Sequence, residues 1–125
     1  MSWEIVYIKE AQKDMKKLDP QSRKYVLKAI DKVSANPLPS AEGGYGKPLG
    51  NHRTAKLSGY MKIKLKDLGL RVVYGLIREN NTMKIIIVSI RDDDEVYLEA
   101  ASRIKKLEDG NYQRKRNRTW RIQSN

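Results

Sequence analysis

The feature that most constrains this chain is a change of hydrophobic period near residue 60. From there the sequence alternates in steps of two, in three short runs: Tyr60 to Leu65, Leu70 to Arg78 and Met83 to Arg91. In the first run Met61, Ile63 and Leu65 point one way, and Tyr60, Lys62 and Lys64 the other. Asp67-Leu68-Gly69 and Asn80-Asn81 supply the turns between runs. Strands so close in sequence pair as hairpins, which predicts an antiparallel meander. The third run is the most apolar and is expected to lie inside the sheet.

Upstream the period is helical. Trp3 to Ile8 reads as a short edge strand with apolar groups on both faces. Lys9 to Leu18 reads as a helix, with Ala11, Met15 and Leu18 on one side. Asp19 is a good N-cap and Pro20 suits the first helical position, so a second helix starts there and runs to about Ala35. Val26, Ile30 and Val33 form its buried stripe beside Ala29, and Asn36-Pro37-Leu38-Pro39 ends it. Ser40 to Asn51 reads as a glycine-rich loop. A last helix begins at Asp92 to Asp94, with Val96, Ala100, Ala101, Ile104 and Leu107 inward.

The expected architecture is α+β: an antiparallel four-stranded sheet with an N-terminal helical hairpin and a C-terminal helix, in the order β-α-α-β-β-β-α. The N-terminal strand is expected to join the meander's edge. Residues 1–107 form the folded domain in this reading. Residues 108–125 form a basic C-terminal extension, with Tyr112 and Trp120 among Arg114, Lys115, Arg116, Arg118 and Arg121.

The 125 residues suffice for one domain, and the formal net charge is +11. Such an excess attracts polyanions, nucleic acid first among them. There is no cysteine, which excludes disulfides, thiolate catalysis and cysteine-ligated zinc. No run approaches membrane-spanning length, so the expected location is the cytoplasm, with no membrane partner.

Cationic residues recur at matching levels of neighbouring strands. Lys62 and Lys64 share a face, Arg71 opens the next strand and Arg91 closes the last; Tyr97 follows on the first turns of the helix. Like charges brought together cost folding energy, and an anion held among them offsets it; a polyphosphate backbone is the expected one. Each residue taken singly reads as ordinary surface. Lysines on an exposed strand are usually solvated, Arg71 has carboxylates to pair with, and Tyr97 can cover the helix start.

Three segments set these residues in a pattern that resembles the RelE toxins of the RelE/ParE superfamily: Met61-Lys62-Ile63-Lys64-Leu65, Gly69-Leu70-Arg71-Val72-Val73-Tyr74, and Val88-Ser89-Ile90-Arg91 followed by Glu95-Val96-Tyr97. Lys47-Pro48-Leu49 and the helical hairpin fit as well, and the resemblance spans roughly the first 107 residues. It implies the toxin of a toxin–antitoxin system, an endoribonuclease that cuts messenger RNA in the ribosomal A site without metal or other cofactor. The implied partners are a cognate antitoxin, the ribosome and mRNA. The family's reactive positions fall on Lys62, Lys64, Arg71, Arg91 and Tyr97. The implied reaction is attack by the ribose 2′-OH on the adjacent phosphate. Lys64 is the candidate base, made easier to deprotonate by its cationic neighbours. Arg71 and Lys62 would stabilise the phosphorane. Arg91 stands where the family places its acid, although guanidinium is a poor one. Tyr97 would stack on a base or orient the 2′-OH.

Two other readings compete: a ParE-like DNA gyrase inhibitor on the same fold, and a non-catalytic ribosome- or RNA-binding module. Asp92-Asp93-Asp94-Glu95 resembles a metal-binding run but is better explained as helix capping, and it departs from the family by setting acids beside Arg91. His52 is the only histidine and, with Arg53, reads as basic loop surface. Gly43-Gly44-Tyr45-Gly46 lacks the strand and helix that a nucleotide-binding loop requires. Arg114, Arg116, Arg118 and Trp120 are candidate RNA contacts, against a disordered extension or a segment docked on the domain.

Overall fold

A computed structural model describes residues 2–50 and 57–118, with backbone alone for 111–118. The chain folds as β1 (Glu4–Tyr7), α1 (Lys9–Lys17), α2 (Pro20–Ser34), β2 (Lys47–Pro48), β3 (Met61–Leu65), β4 (Leu70–Ile77), β5 (Thr82–Ser89) and α3 (Asp93–Arg118). Single turns of 3-10 helix precede β2 and join β3 to β4 and β4 to β5.

Local chemistry sets the helix boundaries. The Asp19 carboxylate accepts the Ser22 N–H at 3.3 Å, and Pro20 opens α2. Arg23 closes α1 from the side, donating Nε to the Met15 carbonyl at 3.0 Å and Nη2 to that of Leu18 at 2.8 Å. These are carbonyls that a helix C-terminus leaves without partners. Asp92 caps α3 by accepting the Glu95 N–H at 3.0 Å. No described helix is long and apolar enough to cross a membrane.

The sheet has five strands in the order β1-β5-β4-β3-β2. The α+β class and the β3–β4–β5 meander are as expected, and β5 lies inside the sheet, between β1 and β4. Two features correct the expected four-stranded antiparallel sheet. Lys47–Pro48 adds a two-residue edge strand to β3. β1 pairs with β5 in parallel, Glu4 opposite Thr82 through Tyr7 opposite Ile85. Parallel pairing needs a long crossover, and the hairpin helices with β2–β4 supply it. Nothing local fixes the direction of a strand so far from its partner in sequence.

β5 also carries a bulge. Tyr74 lies opposite Ile85 and Val73 opposite Ile87, so Ile86 is the extra residue. Ile85 and Ile87 therefore serve opposite faces although they are two apart. Both are fully buried, as are Val72, Val73, Tyr74 and Met83. Ala11 and Met15 of α1, Val26 and Ile30 of α2, and Val96, Ala100 and Ile104 of α3 close over this sheet. Gly75 is glycine for packing reasons: a Cβ there would lie 2.6 Å from the Tyr60 ring. Tyr74 donates its hydroxyl to the Pro37 carbonyl at 2.9 Å, tying the segment after α2 to the sheet.

Beyond the end of β1, the exposed edge of β5 is covered by side chains. The Asp14 carboxylate accepts the Val88 N–H at 3.0 Å, and Arg103 donates Nη1 to the Ile86 carbonyl at 3.0 Å. Arg103 also grips Asp14 at 2.6 Å and Glu99 at 3.0 Å. This cluster joins α1, β5 and α3.

Candidate functional site

The register of β3, β4 and β5 builds the site. Lys64 lies directly opposite Arg71, and Arg71 directly opposite Ser89. Residues paired across a sheet project from the same face, so Lys64 and Arg71 stand side by side, with Lys62 two residues along β3. Like charges directly opposite destabilise a sheet, and here a carboxylate offsets the repulsion. Asp93, first residue of α3, accepts Lys64 Nζ at 3.1 Å through one oxygen and Arg71 Nε through the other. Arg71 also donates Nη1 to the backbone carbonyl of Arg91 at 2.9 Å. The Arg91 side chain is exposed and donates Nε to Ser89 Oγ at 3.2 Å.

Asp93 is held below its usual carboxylate range. Desolvation pushes the other way, but the bonds from Lys64 and Arg71, with their charges, outweigh it. Tyr97, one turn further along α3, is buried at 3% exposure. Desolvation raises its phenol above the ordinary value, the Asp93 charge adds to this, and Arg71 opposes it.

The structure thus gathers Lys64 and Arg71 around one carboxylate, with Lys62, the Arg91 backbone and Tyr97 adjoining. Arg103, at the same helix's inner side, belongs to the buried cluster instead. His52, Arg53 and Trp120 lie outside the described residues; Arg114, Arg116 and Arg118 lie on α3, which continues through Leu107 to Arg118. Among the described residues, no group of three histidine, cysteine, aspartate or glutamate side chains is placed to hold a metal ion.

Sequence reasoning missed the role of Asp93. It read the acidic run as capping, which holds for Asp92, and beyond that only as a departure from the family beside Arg91. The signal lay in the register: if Arg71 faces Ser89, the chain four residues later returns over Lys64 and Arg71. Also missed was an open cavity of about 830 Å³ beside the cluster, lined by Tyr25, Lys47, Lys62, Lys64, Lys66 and Asp67 among others.

No family model matches the sequence. The mRNA interferase toxin RelE of Escherichia coli K12 is 31% identical over 104 residues, covering 83% of this chain and 99% of that protein. The chain belongs to the RelE toxin family. The solved E. coli RelE toxin in its free state, an arginine-to-alanine double variant, has a TM-score of 0.63 at 29% identity, covering 83% of this chain and 99% of that one. That RelE variant in complex with a peptide of the antitoxin RelB has a TM-score of 0.61 at 28% identity, covering 80% of this chain and 95% of that one. The RelE resemblance seen in the three segments thus extends to the fold over 83% of the chain.

Proposed function

We propose that this chain is the toxin of a toxin–antitoxin pair, an endoribonuclease that cuts messenger RNA in the ribosomal A site by metal-independent attack of a 2′-OH. The observation that carries the reading is that Lys64 and Arg71 already hold an anion between them, the Asp93 carboxylate. A phosphate oxygen offers the same acceptors to the same donors. The scissile phosphate takes the position of Asp93, and the aspartate is displaced towards solvent, to which it is already partly open.

In the reaction a bond forms from the 2′-oxygen to phosphorus and the bond to the 5′-oxygen breaks. Lys64 acts as the general base and takes the 2′-OH proton. Arg71 and Lys62 stabilise the phosphorane as its charge grows. Arg91, at the position where the family places its acid, passes a proton to the departing 5′-oxygen and regains one from water. The products are a 2′,3′-cyclic phosphate and a 5′-hydroxyl. Tyr97 acts by positioning, since its ring is buried, within reach of the Asp93 and Arg71 charges, and presents no open face for stacking. The family supports a protein antitoxin as the controlling partner, as a RelB peptide binds the solved RelE variant.

The test is brief expression in cells with mapping of messenger 5′ ends. Translation-dependent, in-frame cuts that disappear with Lys64→Ala are the expected result. DNA breaks without such cuts would replace this reading with gyrase inhibition, and neither product would leave a binding module.

A further inference from the structure

The cavity beside the cluster runs past Lys62 and Lys64 to groups that the cleavage step leaves unused, among them Lys47, Lys66 and Tyr25. Lys47 and Lys62 lie directly opposite each other on β2 and β3. Lys62 and Lys64 share a face of β3, about 6.6 Å apart along the strand. Lys66 follows at the turn, so among the described residues the lining holds four lysines and one acid, Asp67. Tyr25 of α2 also lines the cavity, at 45% exposure, and its hydroxyl accepts Gln21 Nε2 at 3.3 Å. Tyr25 stands off the buried Val26–Ile30–Val33 stripe, so it contributes little to the core.

We propose that this groove is a binding subsite for single-stranded RNA, with the backbone tracking Lys47, Lys62 and Lys66 and one base stacked on Tyr25. The proposal rests on RNA being the substrate of the neighbouring site. A lysine-lined groove with an exposed aromatic wall is the arrangement that holds single strands without reading sequence: the charges take the phosphates and the ring takes a base face. Lys64 belongs to both the groove and the Asp93 cluster, so a strand lying in the groove enters the reactive position without a break. A duplex would leave Tyr25 without an unstacked base to meet.

The experiment measures anisotropy of a short, labelled 2′-O-methyl RNA, which lacks the nucleophile, bound to the full chain and its variants. Tyr25→Ala is expected to weaken binding by about 5- to 100-fold, while Tyr25→Phe stays within about twofold because the ring remains. Lys47→Ala and Lys66→Ala each lower the log–log salt slope by about 0.7. Unchanged affinity in Tyr25→Ala overturns the proposal, and so does a Tyr25→Phe loss as large as that of alanine. A polyglutamate peptide serves as the second probe. If the lysine variants weaken it as much as RNA and Tyr25→Ala weakens neither, the groove is a general acidic-ligand surface and the RNA subsite is wrong. Because this RNA cannot be cut, binding through Tyr25 without cellular mRNA cleavage would sink the nuclease reading alone. Cleavage with wild-type affinity in Tyr25→Ala would sink the groove alone.

Discussion

Asp14 and Asp93 each grip an arginine, but in different surroundings. Asp14 and Arg103 keep only 12% and 9% of their side chains exposed, and they also bond the β5 backbone. Asp93 keeps 37%, between Arg71 at 23% and Lys64 at 30%. Burial raises the cost of removing one partner, because a charge left alone in the interior is not rescued by water. The same contact at the surface is screened and contributes little to stability. In the proposed mechanism, burial thus separates the contact that holds the fold from the contact that opens to admit a substrate.

That contrast can be broken most sharply at Asp14. Asp14→Ala leaves Arg103 with Glu99 as its one carboxylate and the Val88 N–H without its acceptor, so a stability loss of about 3 kcal/mol is expected in denaturant unfolding. A loss under about 1 kcal/mol would mean the two clusters do not differ in kind. Arg103 is the sterner partner: burial alone would lower its pKa, but the bonds from Asp14 and Glu99 hold it above the ordinary value, so it stays charged throughout.

Arg71→Ala should invert the pattern. Cleavage falls by about 10²- to 10³-fold, as when one preorganised donor to a transition-state anion is lost. The melting temperature should drop far less than in Asp14→Ala. Equal damage to both readouts would make Arg71 a structural residue.

Smaller effects sharpen the boundary. Tyr74→Phe removes the buried bond to the Pro37 carbonyl and should cost about 1–3 kcal/mol with no change in RNA affinity. The pH dependence of Asp93 should be smaller still. Its folded pKa is depressed, so its contribution is present above the unfolded value and is lost as pH falls through the lower folded value. The stability difference between wild type and Asp93→Asn should therefore be flat from about pH 8 to 5 and shrink only below about pH 4. A change centred near neutral pH would point to another group.

What the sequence made legible follows the range of the interactions. Asp19 and Pro20 announce α2 because capping is decided within one turn. Alternation placed Lys62 and Lys64 on one face because β3 is regular. The parallel pairing of β1 was hidden because its partner lies more than 70 residues away. The Ile86 bulge was hidden because it breaks the alternation used to read faces. β2 is two residues long and contains a proline, so no pattern marks it. In the site, the cations were legible through spacing. Asp93 was not, since its partners come from β3 and β4 and its own neighbours suggested only a cap.

The account depends on the space between Lys64 and Arg71 being the phosphate position, filled by Asp93 until RNA arrives. The most direct measurement is the affinity of a non-cleavable 2′-O-methyl RNA for wild type, Asp93→Asn and Arg71→Ala at fixed salt. Removing the competing charge in Asp93→Asn should tighten binding several-fold, and Arg71→Ala should weaken it by roughly tenfold. Weaker binding by Asp93→Asn would contradict the account, because the carboxylate would then be helping to hold RNA instead of standing in its place.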